Sequence, residues 1–321
     1  MSDMKARIFA IASVLTVFSG VLPAVDSQLL NLVMPDAKMI GGVNVASAKA
    51  SPFGQYVLAQ IAANDQDMQK LATLTGFDPR RDVDELLFAS NGGNGSHSGL
   101  AAATGTFNVA SITTFATGNG AATETYGGVT ILEDPKQTQG IAFLSGSLVA
   151  AGDIADVKNA IDRRSNPSIL PAAVATQVKQ LSAAEDAWGL TTVPLSYMGM
   201  NIANNASIPG LPANGLQSAL GNIQSLAGGV KFGATVNFTG QAQADNEKDA
   251  TALAGMIQFL ANMAQLNAAK NPEAASVLQS FTASASGSTV TVSLSVPEDQ
   301  FQQLLQPKAN AARPHRGMKK Q

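Results

Sequence analysis

The densest concentration of groups able to do chemistry is Asp78-Pro79-Arg80-Arg81-Asp82-Val83-Asp84-Glu85. Paired carboxylates can divide acid and base roles, and an arginine can clamp an anion through parallel N–H donors. A carboxylate-dependent hydrolase would draw on Asp78, Asp82, Asp84 and Glu85. A glycosidase would need two of them about 5–9.5 Å apart in a cleft. The same residues have a plainer use. Gly76-Phe77-Asp78-Pro79 reads as a helix stop followed by a turn, and Asp82 to Glu85 lead into an apolar strand. A solvated, salt-bridged turn is therefore the favoured expectation.

The remaining candidates are sparse. His97 and His315 are the two histidines. His97 falls in Gly95-Ser96-His97-Ser98-Gly99, where a nucleophile elbow would need Ser at the centre, so the segment reads as an exposed hairpin loop. Gly92-Gly93-Asn94-Gly95 and Gly118-Asn119-Gly120 lack the spacing of a dinucleotide fingerprint or a P-loop and suit turns instead. Asp153 and Asp156 suit the start of a helix, where acids offset the dipole. Cysteine is absent, which removes thiolate chemistry, Zn–Cys sites and disulfides. Trp188, the single tryptophan, is expected to anchor a linker, with ligand stacking as the alternative. No residue is assigned a catalytic, cofactor-binding or metal-ligating role, and no cofactor is implied.

The elements that would position these groups show an internal echo. Gly42-Val43-Asn44-Val45-Ala46 reappears as Gly199-Met200-Asn201-Ile202-Ala203, and each copy runs into a loop with Pro and Gly. Ala103-Thr104-Gly105-Thr106-Phe107 is echoed by Ala234-Thr235-Val236-Asn237-Phe238. A strand precedes a helix near 153–163 and again near 298–305. The echoes keep their order, which predicts two duplicated α+β units joined by a helix over 172–186. Strands are expected over 83–89, 100–107, 231–238 and 290–296. In the last two, apolar residues alternate with Lys, Gly, Thr, Asn and Ser. That period of two marks a one-sided antiparallel sheet. The Ser/Thr side would stay wet or meet a partner. Leu253, Met256, Ile257, Leu260, Met263 and Leu266 form one helical stripe, capped by Asp245 or Asn246, which reads as core or as an adaptable Met-bearing surface. The fold class is α+β, with amphipathic helices covering the sheet and a ferredoxin-like unit as one arrangement.

The first 24 residues carry an address. Lys5 and Arg7 precede an apolar run over 8–22, and Leu22-Pro23-Ala24 offers a cleavage site. The run is shorter than the ~20 residues a membrane-spanning helix needs. The domain plan is a signal peptide over 1–24, a first unit over 25–170, a connecting helix and second unit over 171–306, and a disordered basic tail over 307–321. Charged residues are 13% of the chain, against about 25% in typical domains. The formal net charge of −3 leaves no broad footprint for nucleic acid. The 45% hydrophobic content supports a packed core.

Leu32-Val33-Met34-Pro35-Asp36-Ala37-Lys38, Gly42-Val43-Asn44-Val45 and Gly76-Phe77-Asp78-Pro79-Arg80-Arg81-Asp82 together resemble a family of uncharacterised exported proteins from soil-type bacteria. The Trp188 region and the strand over 290–296 are similar too. The resemblance implies export and a two-unit α+β fold, and it carries over no functional residue. The expected function is a non-enzymatic, extracytoplasmic binding or structural protein, periplasmic or secreted, of unknown ligand. An extracytoplasmic hydrolase and a self-assembling surface subunit are the alternatives. The basic tail would make weak contact with an anionic envelope surface or polyanion.

Overall fold

The structure is a computed structural model and describes residues 25–56, 59, 66–92, 99–167, 169–194, 221–268 and 272–305. The helices are α1 (Ser27–Leu30), α2 (Val45–Ala50), a turn at 52–56, α3 (Gln66–Thr75), α4 (Pro79–Asp82), α5 (Val109–Gly118), α6 (Ile154–Ser165), α7 (Ala172–Ala184), α8 (Glu247–Ala268), α9 (Pro272–Gln279) and α10 (Glu298–Leu305). The strands are β1 (Met39–Asn44), β2 (Val83–Ser90), β3 (Gly99–Gly105), β4 (Ala122–Tyr126), β5 (Val129–Glu133), β6 (Gln139–Phe143), β7 (Leu148–Asp153), β8 (Ala187–Thr191), β9 (Ile223–Lys231), β10 (Thr235–Ala244), β11 (Thr282–Ser286) and β12 (Thr289–Pro297). Short polar side chains set the passage from extended chain to helix. Asp26, Asn44, Asn108 and Asn246 each accept a backbone N–H of the helix that follows, at 2.8 to 3.1 Å. Asn246 thus fills the cap expected for the Met-bearing helix.

All twelve strands join one antiparallel sheet in the order β11-β12-β10-β9-β8-β1-β2-β3-β7-β6-β5-β4. β1 and β8 meet at the centre, with Gly41 opposite Gly189. Outward from that seam, three strands run side by side in each half, and the half's final strand returns beside the third. This side-by-side order is not the interleaved order of a ferredoxin-like unit. In β2, Asp84 is an extra residue between the pairs Val83–Gly105 and Glu85–Thr104. In β9, Gln224 is an extra residue between Ile223–Ala244 and Ser225–Gln243. Each is a bulge at the strand's second residue.

One face of the sheet, here the lower, carries α1, α6 and α7. Leu29, Leu32, Val157, Ile161 and Val178 pack there against Ile40, Leu87 and Ile131. The other, upper face carries an aromatic core that crosses both halves. Phe53 of the 52–56 turn lies 5.0 Å from Phe232 and 4.8 Å from Phe301 of α10, ring centre to ring centre. A separate upper cluster forms where Leu253 and Ala250 of α8 meet Ile223, Ala242 and Val290. The first half is therefore covered on both faces, whereas the expected one-sided sheet is found in β10–β12. There Thr282 and Ser293, Ser295 and Asn237, and Thr289 and Gln243 bond across strands at 2.7 to 3.0 Å.

Two readings of the sequence are corrected. The alternation over 231–238 is not one strand: β9 ends at Lys231, the chain turns at 232–234, and β10 begins at Thr235. The rhythm survives because Phe232 is tucked into the aromatic core from the turn itself. Trp188 does not anchor a linker but lies inside β8, 8% exposed. The echo at 199–203, the loop with His97, the signal segment and the tail lie outside the described residues.

Trp188 explains a glycine. A Cβ on Gly42 would sit 2.7 Å from Cε2 and Cζ2 of the indole, deep in the van der Waals radius of a large buried ring. Gly42→Ala must push that ring aside, and overpacking of this kind costs about 1–3 kcal/mol. Chemical denaturation followed by the fluorescence of the lone tryptophan should show a lowered midpoint and an altered native emission. An unchanged midpoint would contradict this packing.

Candidate functional site

The acidic cluster does not converge. Asp78 caps α4 by accepting Arg80 N at 3.0 Å, and it accepts Arg80 Nε at 2.8 Å. Asp82 accepts Arg81 Nε at 2.6 Å and the backbone N–H of Asp78 at 2.8 Å. The Arg80 and Arg81 guanidinium groups hold the respective carboxyls below the usual range. Both stay ionised and bonded at neutral pH, which suits a turn and gives no proton donor. Asp84 is the bulged residue, with a side chain 60% exposed and 3.6 Å from Lys49 Nζ. Glu85 instead accepts the backbone N–H of Asp26 at 3.0 Å. Burial pushes its carboxyl up to about 7. The four acids thus serve a cap, a brace, the surface and a tether. Gly118-Asn119-Gly120 is a helix end, where Gly120 takes a φ of +88° and Asn119 Nδ2 donates to Phe115 O at 2.7 Å.

Two polar groupings were not foreseen. Glu124 of β4 lies 2.7 Å from Lys158 of α6, which holds its carboxyl down, while Glu133 of β5 is pushed up by burial and by its hydrogen bond to Glu124. Near the seam, Glu185 accepts Thr239 Oγ1 at 2.6 Å, and burial pushes its carboxyl up. Beside it, Asp186 accepts Lys231 Nζ at 3.1 Å and Phe232 N at 3.2 Å. These residues are distant in sequence and carry no motif. Their meeting depends on strand pairing alone.

The feature shaped to receive a molecule is apolar. A cleft of about 350 Å³ opens between α8 and the upper face of the sheet. Its roof is Leu253, Met256, Ile257 and Leu260; its floor includes Leu226, Gly240, Ala242 and Val292. The stripe read as core therefore divides. Leu253 is 2% exposed, while Phe259 and Leu266 on the same helix are 39% and 74% exposed.

Strand register extends that floor. Gly41 pairs with Gly189, Gly189 with Gly228, and Gly228 with Gly240. Directly paired residues present their side chains on the same face, so four adjacent strands carry no side chain along one row. A ridge of Val43, Ala187, Val230 and Phe238 flanks the row on one side, and Met39, Thr191, Leu226 and Ala242 flank it on the other. Phe88 closes the end beside β1, and Val292 closes the end beside β10. Above Gly189 a Cβ would meet only the Ile40 carbonyl oxygen, at 3.8 Å. The row spans three strand spacings, about 14 Å, and opens into the cleft at Gly240.

Glu85 makes a pH dependence expected. Its folded value of about 7 exceeds the ordinary 4.5, so the folded chain holds this proton more tightly than the unfolded chain. Stability should fall as pH rises between those values and level off above them. Allowing for partial exposure, the loss is about 2 kcal/mol. Urea denaturation at about pH 5 and about pH 8 should show that loss in the parent but not in Glu85→Gln. Equal pH slopes in the two proteins would contradict the tether's role.

No protein-family profile matches the chain, and no curated protein does. Solved structures do resemble it. Crystal form III of TP0453 matches with a TM-score of 0.53 and 11% identity, over 85% of this chain and 96% of that one. Crystal forms IV and I of TP0453 match with TM-scores of 0.51 and 0.50 at 12% identity, each over 89% of this chain and 96% of that one. At that identity the likeness is one of fold.

Proposed function

We propose that this chain is an exported, non-enzymatic binding protein that holds an apolar chain in the cleft beneath α8 and along the glycine row. The cleft carries the reading. Sites for small ligands run from about 300 to 1,000 Å³ and are mostly apolar. The cleft is open along one side, so its apolar walls stay exposed to solvent until an occupant covers them. Water is a poor occupant, because apolar walls offer it no hydrogen bonds. A narrow, side-chain-free row leading into such a cleft suits a single unbranched alkyl chain. About ten buried methylenes gain about 8 kcal/mol, which corresponds to micromolar binding.

Export is supported by the basic start and the apolar run over 8–22, and it places the protein in the periplasm or outside the cell. A binding role is further supported by the acids of 78–85, which serve a cap, a brace, the surface and a tether instead of meeting in one cleft. Duplication of two α+β units is part of the same reading. It is supported by the matching strand order on either side of the β1–β8 seam and by the bulges at Asp84 and Gln224. A two-fold relation through that seam sets Gly41 against Gly189, while the rest of the row, Gly228 and Gly240, belongs to the second half.

Titration of the purified full chain with dansylundecanoate should give a saturable fluorescence rise at micromolar concentration, reversed by unlabelled dodecanoate. Gly189→Leu sets its Cβ where only the Ile40 carbonyl oxygen lies within 4 Å and extends the rest of the side chain into the row. It should weaken binding by about tenfold or more while leaving the denaturation midpoint near that of the parent. Unsaturable signal, or equal affinity in the variant, would refute the site.

A further inference from the structure

An open sheet has two edges, and those of this sheet differ in chemistry. At one end is β4, at the other β11, and among the described residues no strand pairs with the outer side of either. Natural edges are guarded by charge, proline, bulges or a covering segment, since unpaired N–H and C=O groups invite another strand. The edge residues of β4 are Ala122-Thr123-Glu124-Thr125-Tyr126, with Glu124 at the centre and bonded to Lys158. An antiparallel match of β4 with its own copy, centred on that residue, sets Glu124 against Glu124. Like charges directly opposite destabilise a strand pair.

Among the described residues the edge at β11 carries no charge, proline or bulge, and the segment against it is α8, packed along the strand. Thr282-Ala283-Ser284-Ala285-Ser286 contains no charge and no proline, and its five pairs with β12 run without a bulge. Ser284, Ala285 and Ser286 are exposed. A tight turn at Gly287, with a φ of +54°, holds the strand flat against β12. The segment is also complementary to itself. Antiparallel pairing about Ser284 sets Thr282 opposite Ser286 and Ala283 opposite Ala285, with hydroxyls on one face and methyls on the other. The hydroxyl side continues the cross-strand rows already formed by Thr282 with Ser293 and by Ser295 with Asn237.

We infer that β11 pairs with β11 of a second copy of this chain across a two-fold axis, joining two sheets into one. The two-fold arrangement consumes both β11 edges and leaves the acidic β4 edges outermost, so assembly stops at the dimer. Five residues make a short ribbon, which places the association in the weak, concentration-dependent class.

Sedimentation equilibrium of the full chain, from about 1 μM to about 1 mM, reads this directly. The apparent mass should climb toward twice that of the monomer. Ser284→Lys, at an exposed position, sets two ammonium groups against each other and should weaken dimerisation by about tenfold or more. Thr125→Lys on β4 should leave it unchanged. A monomer at every concentration, undiminished dimerisation of Ser284→Lys, or loss of dimerisation in Thr125→Lys would each overturn the assignment.

Discussion

The ladder between β1 and β8 is the interaction on which the rest of the molecule depends. Five residue pairs, centred on Gly41 and Gly189, make one sheet of two halves. The seam is built unlike the strands around it. On its lower side Trp188 lies flat over Gly42, and on its upper side no side chain rises from Gly41 or Gly189. Glycine in a strand costs roughly 0.5–1 kcal/mol relative to alanine. At Gly41, Gly228 and Gly240 a Cβ would crowd the Trp188 carbonyl, the Thr239 carbonyl and the Val292 side chain, so close packing selects glycine at those three positions. Packing accounts for Gly42, where the indole needs the space. It does not account for Gly189, which has room for a side chain and lacks one.

The two faces divide the work. The lower face of the first half is sealed by α1, α6 and α7, and Arg163 of α6 ties the N-terminal segment down by donating to Leu32 O at 2.8 Å. Beyond α7 the lower face is hydroxyl and amide, bonded to itself across the strands. The upper face is mostly apolar, with Thr191 and Ser90 among the exceptions, and it is interrupted by the row and by the cleft under α8. Charged groups stand apart from that path. Those near the seam, Glu185 and Asp186, sit on the turn after α7 and are taken up by Thr239, Lys231 and Phe232. Among the described residues, the walls of the cleft and of the row carry no ionisable side chain.

Much of the fold was legible in the sequence. The alternation over 290–296, the stripe from Leu253 to Leu266 and the turn at Gly76 to Asp82 are local patterns, and each became the element it suggested. The strand expected over 231–238 failed because period two continued through a turn whose Phe232 is itself buried. Trp188 was placed outside a strand because the echo at 199–203 claimed the first strand of the second half. The meander of β4 to β6 carries mixed residues on both faces and too little periodicity to be read. Of the candidate site only the roof was legible, as one reading of the stripe on α8. Gly41, Gly189, Gly228 and Gly240 are unremarked singly, and only the pairing of four strands brings them into line. The Met-bearing stripe was the one local hint, since methionine at Met256 suits a surface that must adapt to an occupant.

An alkyl chain held along the glycine row and in the cleft, as proposed, would travel with the purified protein. Native mass spectrometry of the protein purified without detergent tests it most directly. The account predicts a second population, heavier by the mass of one alkyl-chain compound, that disappears on organic extraction and is absent from Gly189→Leu. A single species at the bare polypeptide mass, unchanged after incubation with excess dodecanoate, would contradict it.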